Sequence, residues 1–202
     1  MIGTHDLLLF IVSALLLNIT PGPDTLYIVG RSSTQGFKAG AIAALGIGAG
    51  IMVHVSAAAL GLSALLAASA EAFTALKLVG AAYLVYVGIS LMRFRAPTAT
   101  KPQRATLRTV FVQGFWTNVL NPKVALFFLA FLPQFVDLDA PSKPAAFLFL
   151  GCLFNFNGTL WNLFVAWSAA RVGRSLGSSV WFNRTVGALF VYLGARLALA
   201  ER

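Results

Sequence analysis

Two short interruptions of apolar sequence, at residues 18–24 and 118–123, hold the side chains best suited to chemistry. The first reads Asn-Ile-Thr-Pro-Gly-Pro-Asp and the second Asn-Val-Leu-Asn-Pro-Lys. Proline lacks a backbone donor and clashes with the preceding helical turn, so each interruption frees backbone groups. Asn121-Pro122 is typical of a helix N-cap and first residue, and either Thr20-Pro21 or Gly22-Pro23 fits the same pattern. Each break is predicted to begin a half-helix whose positive dipole end could face a carboxylate.

Asp24 and Lys123 are the carboxylate and the ammonium placed well inside apolar stretches. Each costs about +2.5 to +3.5 kcal/mol at the centre of a membrane helix, so it should face a protein interior or water. The two could pair with each other, or Asp24 could hold the ammonium and Lys123 the carboxylate of a zwitterion. A desolvated carboxyl binds protons readily, so Asp24 is also a candidate proton carrier. Structural alternatives are an interfacial helix cap at Asp24, an ion pair between the two residues, and simple packing kinks.

Weaker candidates lie between the two breaks and after the second one. Gly46, Gly48 and Gly50 favour close helix packing. His54 follows in the same stretch, and a lone helical histidine is either hydrogen-bonded within a bundle or a ligand.

A polar group in the fifth apolar stretch completes the set of candidates. Asn155, Asn157, Trp161 and Asn162 place three amides and an indole within two turns, and Asn155 and Asn162 share a helix face. They indicate either a lined cavity or interhelical hydrogen bonds. The candidate substrate- or proton-binding residues are therefore Asn18, Pro21, Gly22, Pro23, Asp24, His54, Asn118, Asn121, Pro122, Lys123, Asn155 and Asn162.

The composition indicates that lipid surrounds the elements carrying these residues. Of the 202 residues, 58% are hydrophobic and 10% are charged, whereas a soluble domain has about a quarter charged. A membrane helix needs roughly 20 mostly apolar residues. Such stretches are predicted at 7–29, 41–68, 74–92, 110–136, 145–170 and 180–200.

The basic residues predict the orientation. They concentrate in alternate predicted loops, 30–40, 93–109 and 171–184. The positive-inside rule makes these loops cytoplasmic and puts both termini outside the cytoplasm. Five helices with an inside N-terminus would break this pattern. The net charge of +9 is thereby explained without a nucleic-acid partner, and Cys152 is predicted to be a small apolar filler.

An internal repeat predicts two halves, about 1–95 and 108–202, in a single membrane domain spanning 1–202. Residues 77–88 and 184–194 share a basic residue, Val-Gly-Ala, a Tyr and a final Gly, and the two breaks match at a similar offset. Three helices per half require the second half to be inverted. The predicted fold is all-α and polytopic, with six transmembrane helices in two inverted three-helix repeats and a transport site between them.

The two breaks, together with Gly114-Phe115 and Phe131-Leu-Pro-Gln-Phe135, resemble the LysE/RhtB family of bacterial amino-acid exporters along essentially the whole chain. The resemblance implies efflux of homoserine-, threonine-, leucine- or lysine-like amino acids across the inner membrane, driven by the proton motive force. It also implies no cofactor and a homodimer. The family's site residues carry over to residues 21–24 and 121–123.

The same sequence also bears on other functional classes of membrane protein. A thiol-redox carrier would need paired cysteines, and the chain has one; two histidines, His5 and His54, argue against a metal exporter and no metal site is expected. No protease or zinc motif is visible, so an enzyme is not expected. The remaining alternatives are an exporter of another small solute or cation, and a membrane assembly factor that transports nothing.

Overall fold

The structure, a computed structural model, describes residues 3–64, 70–93, 103–137 and 139–172, with isolated positions between 184 and 198. These residues are helical apart from short connections and an isolated β-bridge between Thr4 and Val136. The chain is an all-α polytopic membrane protein, as predicted. Its helices are α1 Leu7–Ile19, α2 Pro23–Gln35, α3 Phe37–Ala57 with a π-helical extension Ala58–Leu62, α4 Ala70–Met92, α5 Leu107–Val119, α6 Pro122–Ala130 with a 3-10 turn Leu132–Phe135, and α7 Lys143–Val172.

The membrane-spanning helices are of two kinds. The segments Phe37–Leu62 and Lys143–Arg171 are each long and apolar enough to cross a bilayer. The pairs α1–α2 and α5–α6 reach that length only together, and they bend by 52° and 47° at their breaks. By length and composition the described residues thus provide up to four spans. Helix α4 covers the third predicted stretch, while the sixth, with the repeat match at 184–194, lies outside the described residues except for isolated positions.

The first break separates α1 from α2. Helix α1 ends at Ile19, and the Thr20 hydroxyl turns back to donate to the Leu16 carbonyl at 2.6 Å. Helix α2 begins at Pro23 with Gly22 as its N-cap. Of the two alternatives left open by the sequence, Gly22-Pro23 is therefore the helix start.

The second break confirms the predicted cap. The Asn121 side chain accepts a hydrogen bond from the Lys123 backbone N–H at 3.0 Å, and Pro122 is the first residue of α6. Proline fits there because the first helical N–H has no partner within the helix anyway.

Two predictions, one about the first basic loop and one about the cysteine, are wrong. Residues 30–40 are not a loop, because α2 continues to Gln35 and α3 begins at Phe37, with Gly36 alone making the turn at φ 82°. Arg31 is therefore buried in a helix. Asp24 lies eleven residues before the C-terminal end of α2 at Gln35, whereas the predicted stretch 7–29 put it five residues before the end. Cys152 is exposed on α7 and fills no gap in the core.

The other two basic loops are shorter than predicted. Helix α5 begins at Leu107 and includes Arg108, and α7 extends to Val172 and includes Arg171. The Arg171 guanidinium lies 4.2 Å from the ring centroid of Trp167, one turn earlier on α7. Arg171, which was predicted to lie in a loop, is therefore part of this helix.

Helix α3 is the centre of the packing, with α5 and α7 against it. A Cβ built on Gly50 would lie 2.7 Å from the Phe115 carbonyl oxygen, and one on Gly114 would lie 2.7 Å from that of Ala43. Gly46 meets the backbone of Phe111 in the same way. Only residues without a side chain allow α3 and α5 to approach this closely, as predicted for the glycine run.

Aromatic rings fill the space between α1, α6 and α7. Phe127 stacks on Phe154 with centroids 4.9 Å apart, and Phe131 lies 5.0 Å from Phe127. Phe135 in turn lies 4.9 Å from Phe131 and 5.3 Å from Phe10. We refer to these five residues as the aromatic cluster. It joins the N-terminal half of the first bent pair to the C-terminal half of the second.

Candidate functional site

The two helix breaks face a common small cavity. Its free volume is about 20 Å³, which is room for about one water molecule and too little for an amino acid. The structure therefore describes a closed form of the site. The cavity is lined by Leu17, Asn18, Gly22, Asp24, Thr25, Ile47, Ile51, Asn121, Lys123, Val124, Phe154 and Asn162.

Lys123 crosses from the second break to the first. Its ammonium donates to the carbonyls of Leu17 and Thr20, both at 2.7 Å. The Leu17 carbonyl lacks its usual partner four residues ahead, because that position is Pro21, which has no N–H. An ammonium has three donors, so one remains beyond these two bonds. The Lys123 side chain lies beside Gly22, where a Cβ would be 3.6 Å from the Lys123 nitrogen, an ordinary van der Waals contact.

Asp24 lies in the first turn of α2, where a negative charge complements the helix dipole. Its Oδ2 accepts a hydrogen bond from the Asn118 side-chain nitrogen at 2.8 Å. Its Oδ1 is buried and finds no hydrogen-bond partner among the described residues, and the same holds for Asn118 Oδ1. Buried polar atoms are nearly always paired, and Asp24 lines the cavity, so its free oxygen indicates a place for a donor from outside the chain. Asn118 does not line the cavity, and its oxygen lies against Gly50 of α3.

The opposite charges of Asp24 and Lys123 are not paired with each other. In the described part of the chain, no ion pair within 4.0 Å joins Asp24 to Lys123. Asp24 is held by an amide and Lys123 by backbone carbonyls. A direct ion pair is thus not what fixes either residue in this closed form.

Asn18 adds a donor to the lining. Its side-chain nitrogen is buried and has no hydrogen-bond partner in the described part of the chain. Its amide packs on Gly158 of α7, where an added Cβ would come within 3.0 Å of the Asn18 oxygen. The glycine therefore sets the position of the amide.

The polar residues of α7 divide between two roles. Asn162 is buried and lines the cavity. Asn155 instead donates to the Gly48 carbonyl at 3.2 Å and accepts from the Thr159 hydroxyl at 3.3 Å. Of the two interpretations of this polar group, a lined cavity describes Asn162 and an interhelical bond describes Asn155. Asn157 and Trp161 lie outside the residues that line the cavity.

His54 contacts the end of α5 rather than the cavity. Its Nε2 lies 3.2 Å from the Asn118 backbone oxygen, and its ring stacks on Phe128 with centroids 5.9 Å apart. It is not among the residues that line the cavity. In this structure His54 thus fixes the turn that carries Asn118, while Pro21, Pro23 and Pro122 shape the two breaks.

Several residues of the site were missed by the sequence reasoning. Ile47 and Ile51 lie one turn apart on α3, and Val124 and Phe154 complete an apolar side of the cavity. In a chain this apolar, no residue type distinguishes them from lipid-facing neighbours.

The arrangement is suited to binding a zwitterion. The buried acceptor on Asp24 matches an ammonium, while the Asn18 amide and the third Lys123 donor match a carboxylate. The apolar lining would receive a side chain. The described residues contain no group of histidines, cysteines and carboxylates able to hold a metal ion.

Comparison with known proteins gives matches over nearly the whole chain. The profile of the LysE type translocators matches residues 15–201. A leucine efflux protein of Salmonella typhimurium is 30% identical, covering 95% of this chain and 94% of the relative. Uncharacterized membrane proteins of Pseudomonas aeruginosa and Vibrio cholerae are 31% and 32% identical, covering 98% of this chain and 97% and 98% of the relatives. No solved structure gives a significant match.

Proposed function

The chain belongs to the family of LysE type translocators, and from that premise we propose that it exports a zwitterionic amino acid through the cavity between its two helix breaks. Membership in this family places the protein among transporters rather than enzymes. Relatives that cover nearly the whole chain and are named leucine efflux proteins support an amino acid as the substrate.

The pairing of unsatisfied groups around the cavity is the observation that carries the proposal. Asp24 Oδ1 is an unpaired acceptor in the described residues, and Asn18 contributes an unpaired donor. A substrate ammonium would bind Asp24, and its carboxylate would bind Asn18 and Lys123. Each charge-assisted bond of this kind is worth about 1.5–3 kcal/mol, so the three groups could select a zwitterion over an amine or an acid.

The apolar side of the cavity favours a neutral side chain. Ile47, Ile51, Val124 and Phe154 offer no partner for a second ammonium, so leucine is favoured over lysine. Asn162 is the one polar group on α7 that could bind a hydroxyl, as in threonine or homoserine.

Proton coupling is proposed at Asp24. A carboxyl oxygen without a protein partner can be satisfied by a substrate ammonium or by a proton on the carboxyl itself. Binding of the two would then be mutually exclusive, which is the requirement for exchanging a proton for an amino acid.

The remaining proposals concern the setting of the site. We place the protein in the bacterial inner membrane with both termini outside the cytoplasm, as the basic segments predict. The inverted halves, about 1–95 and 108–202, and a homodimer also stay predictions.

The test is transport of radiolabelled leucine, threonine, homoserine and lysine in proteoliposomes with an imposed proton gradient. We expect leucine to move fastest. Lys123→Ala should abolish movement, because it removes a carboxylate donor and leaves the Leu17 and Thr20 carbonyls unpaired. Lys38→Ala is the matched control, since Lys38 is exposed on α3 and should transport at the parent rate.

Size-exclusion chromatography must show that Lys123→Ala remains folded. If no amino acid moves under any gradient, the proposal fails, and the same liposomes should then be tested with other small solutes and cations. If no solute moves, a membrane assembly factor becomes the better interpretation.

A further inference from the structure

A line of polar groups joins α2 to α5 and to the segment that precedes α5. The Tyr27 hydroxyl donates to the Val110 carbonyl at 2.8 Å and lies 3.2 Å from the Gln113 side-chain oxygen. Arg31 donates to that same Gln113 oxygen and to the Gln103 carbonyl at 2.8 Å. We call these contacts, together with those of Gln35 to Arg31 and Ala105, the Arg31 seam.

The seam ends at Gln35, near the end of α2. The Gln35 side chain donates to the Ala105 carbonyl at 2.8 Å and accepts from the Ala105 N–H at 3.1 Å. It also accepts from Arg31 at 3.2 Å. The seam therefore runs from one turn beyond Asp24 to the segment that precedes α5.

Arg31 is an unusual residue to bury in such a contact. It is 6% exposed, and its guanidinium is charged at any physiological pH. Its acceptors in the described residues are neutral oxygens of Tyr27, Gln35, Gln103 and Gln113, with no carboxylate among them. Burying a charge costs much less when it is paired. In the closed form these four acceptors take the place of water around the guanidinium, so opening the seam requires water to replace them.

The seam separates two cavities of very different size. Gln35 also lines a surface cavity of about 360 Å³ with Thr34, Gly36 and Arg104. The site at the breaks has about 20 Å³. Arg31 lies between them, seven residues or about 10 Å along α2 from Asp24.

The bent helices provide a way to open it. The seam joins the C-terminal member of one bent pair to the N-terminal member of the other, whereas the aromatic cluster joins the two remaining members. Each pair already bends sharply at its break, and a few residues at the end of an element commonly serve as hinges. Moving α2 away from α5 would open the seam and could leave the aromatic cluster intact, because none of its five residues lies on α2 or α5.

We propose that the Arg31 seam is the cytoplasmic gate of the transport path, with Arg31 as the residue that holds it closed. The proposal rests on the transport function and on the predicted orientation. It requires that loss of Arg31 opens the site from the cytoplasmic side alone.

The experiment measures cysteine accessibility in the Cys152→Ala background. Thr25→Cys, which lines the site, reports access for a permanently charged methanethiosulfonate reagent applied to either side of the membrane. Arg31→Gln should speed cytoplasmic labelling about tenfold or more, the effect of losing about 1.4 kcal/mol from the closed form. Lys38→Gln removes an exposed positive charge at the start of α3, close in sequence to Gln35 of the seam. It should leave the rate unchanged.

An unchanged rate in Arg31→Gln, or an equal increase from the opposite side or in Lys38→Gln, would overturn the gate. A second test does not depend on how Arg31→Gln folds. Cross-linking Gln35→Cys to Ala105→Cys with a short thiol-specific reagent should stop leucine transport, and a reducing agent should restore it. Full transport by the cross-linked protein would also refute the gate.

The two proposals fail in different ways. If the parent protein moves no solute but Arg31→Gln still exposes the Thr25→Cys reporter from the cytoplasm, Arg31 does close the cavity on that side, and it is the transport function that is wrong. If the parent moves leucine and neither gate test responds, the function stands and the gate is wrong.

Discussion

The carboxyl group of Asp24 has one oxygen bound to Asn118 and one without a partner in the described residues. Two roles are proposed for this carboxyl group, binding the substrate ammonium and carrying a proton, and a single substitution can distinguish them. Asp24→Asn keeps the shape but cannot bind a proton. If Asp24 serves only as the proton carrier, gradient-driven export should be lost while exchange of leucine for leucine continues.

We expect both activities to fall in Asp24→Asn, because the unpaired oxygen also receives the substrate ammonium. Leucine counterflow and proton-driven export in the same proteoliposomes measure the two. Asp6→Asn is the control, since Asp6 is exposed and has φ 50°, a conformation that asparagine tolerates well. Undiminished counterflow in Asp24→Asn would remove Asp24 from the ammonium site.

Gly158 offers a second test at the scale of one side chain. Gly158→Ala would place a methyl group within 3.0–3.2 Å of the Asn18 amide, which must then move by a few tenths of an ångström. We expect KM for leucine to rise about tenfold with little loss of stability. In Gly61→Ala the added Cβ meets nothing within 4 Å in the described part of the protein, so its KM should equal that of the parent.

The sequence identified the charged residues of the site better than it identified their partners. Asp24 and Lys123 could be predicted to face the protein interior because a charge in lipid is so costly. That Lys123 binds the carbonyls of Leu17 and Thr20 depends on how two distant breaks pack, which no local pattern contains. Ile47 and Ile51 were missed for the related reason that apolar residues dominate both the lipid-facing and the buried surfaces.

At the scale of the helix, the cap at Asn121 is a separable contribution to stability. Asn121→Ala removes the oxygen that accepts from the Lys123 N–H, and loss of such a cap costs about 1 kcal/mol. Asn121→Ser should retain most of it. Thermal unfolding in detergent, followed by tryptophan fluorescence, should rank the parent above Asn121→Ser and both above Asn121→Ala. Equal midpoints for all three would show that the cap contributes nothing.

Helix starts were easier to predict than helix ends. Asn121-Pro122 predicted the start of α6 because an N-cap and a proline both act locally. The end of α2 was placed too early because polar residues after position 29 suggested a loop. Their hydrogen bonds to α5 and the segment before it allow them to stay helical and buried, and Gly36 alone then makes the turn.

At the scale of the whole molecule, the orientation can be tested at two exposed positions. In the Cys152→Ala background, Arg104→Cys should react with a charged thiol reagent only from the cytoplasmic side. Ser142→Cys, in the connection between α6 and α7, should react only from the opposite side. Both residues are exposed, so a missing signal would reflect sidedness rather than burial. The reverse pattern would invert the topology and the direction in which the Arg31 seam opens.

Composition was sufficient to predict a polytopic helical membrane protein, since 58% hydrophobic and 10% charged residues cannot cover a soluble surface. Composition could not predict that the site is closed. Closure depends on contacts between the two bent pairs, which involve residues about 80 to 130 positions apart, such as Arg31 with Gln113 and Phe10 with Phe135.

The bond from Lys123 to the end of α1 has a consequence for proton leakage. In the empty protein the ammonium ties the second break to the carbonyls of Leu17 and Thr20, and this tie resists separation of the two bent pairs. A substrate carboxylate that attracts the ammonium would weaken the tie, so the loaded protein would change conformation more readily than the empty one. Such a carrier passes few protons when no amino acid is present. Lys123→Met liposomes without substrate should therefore lose an imposed proton gradient faster than parent liposomes.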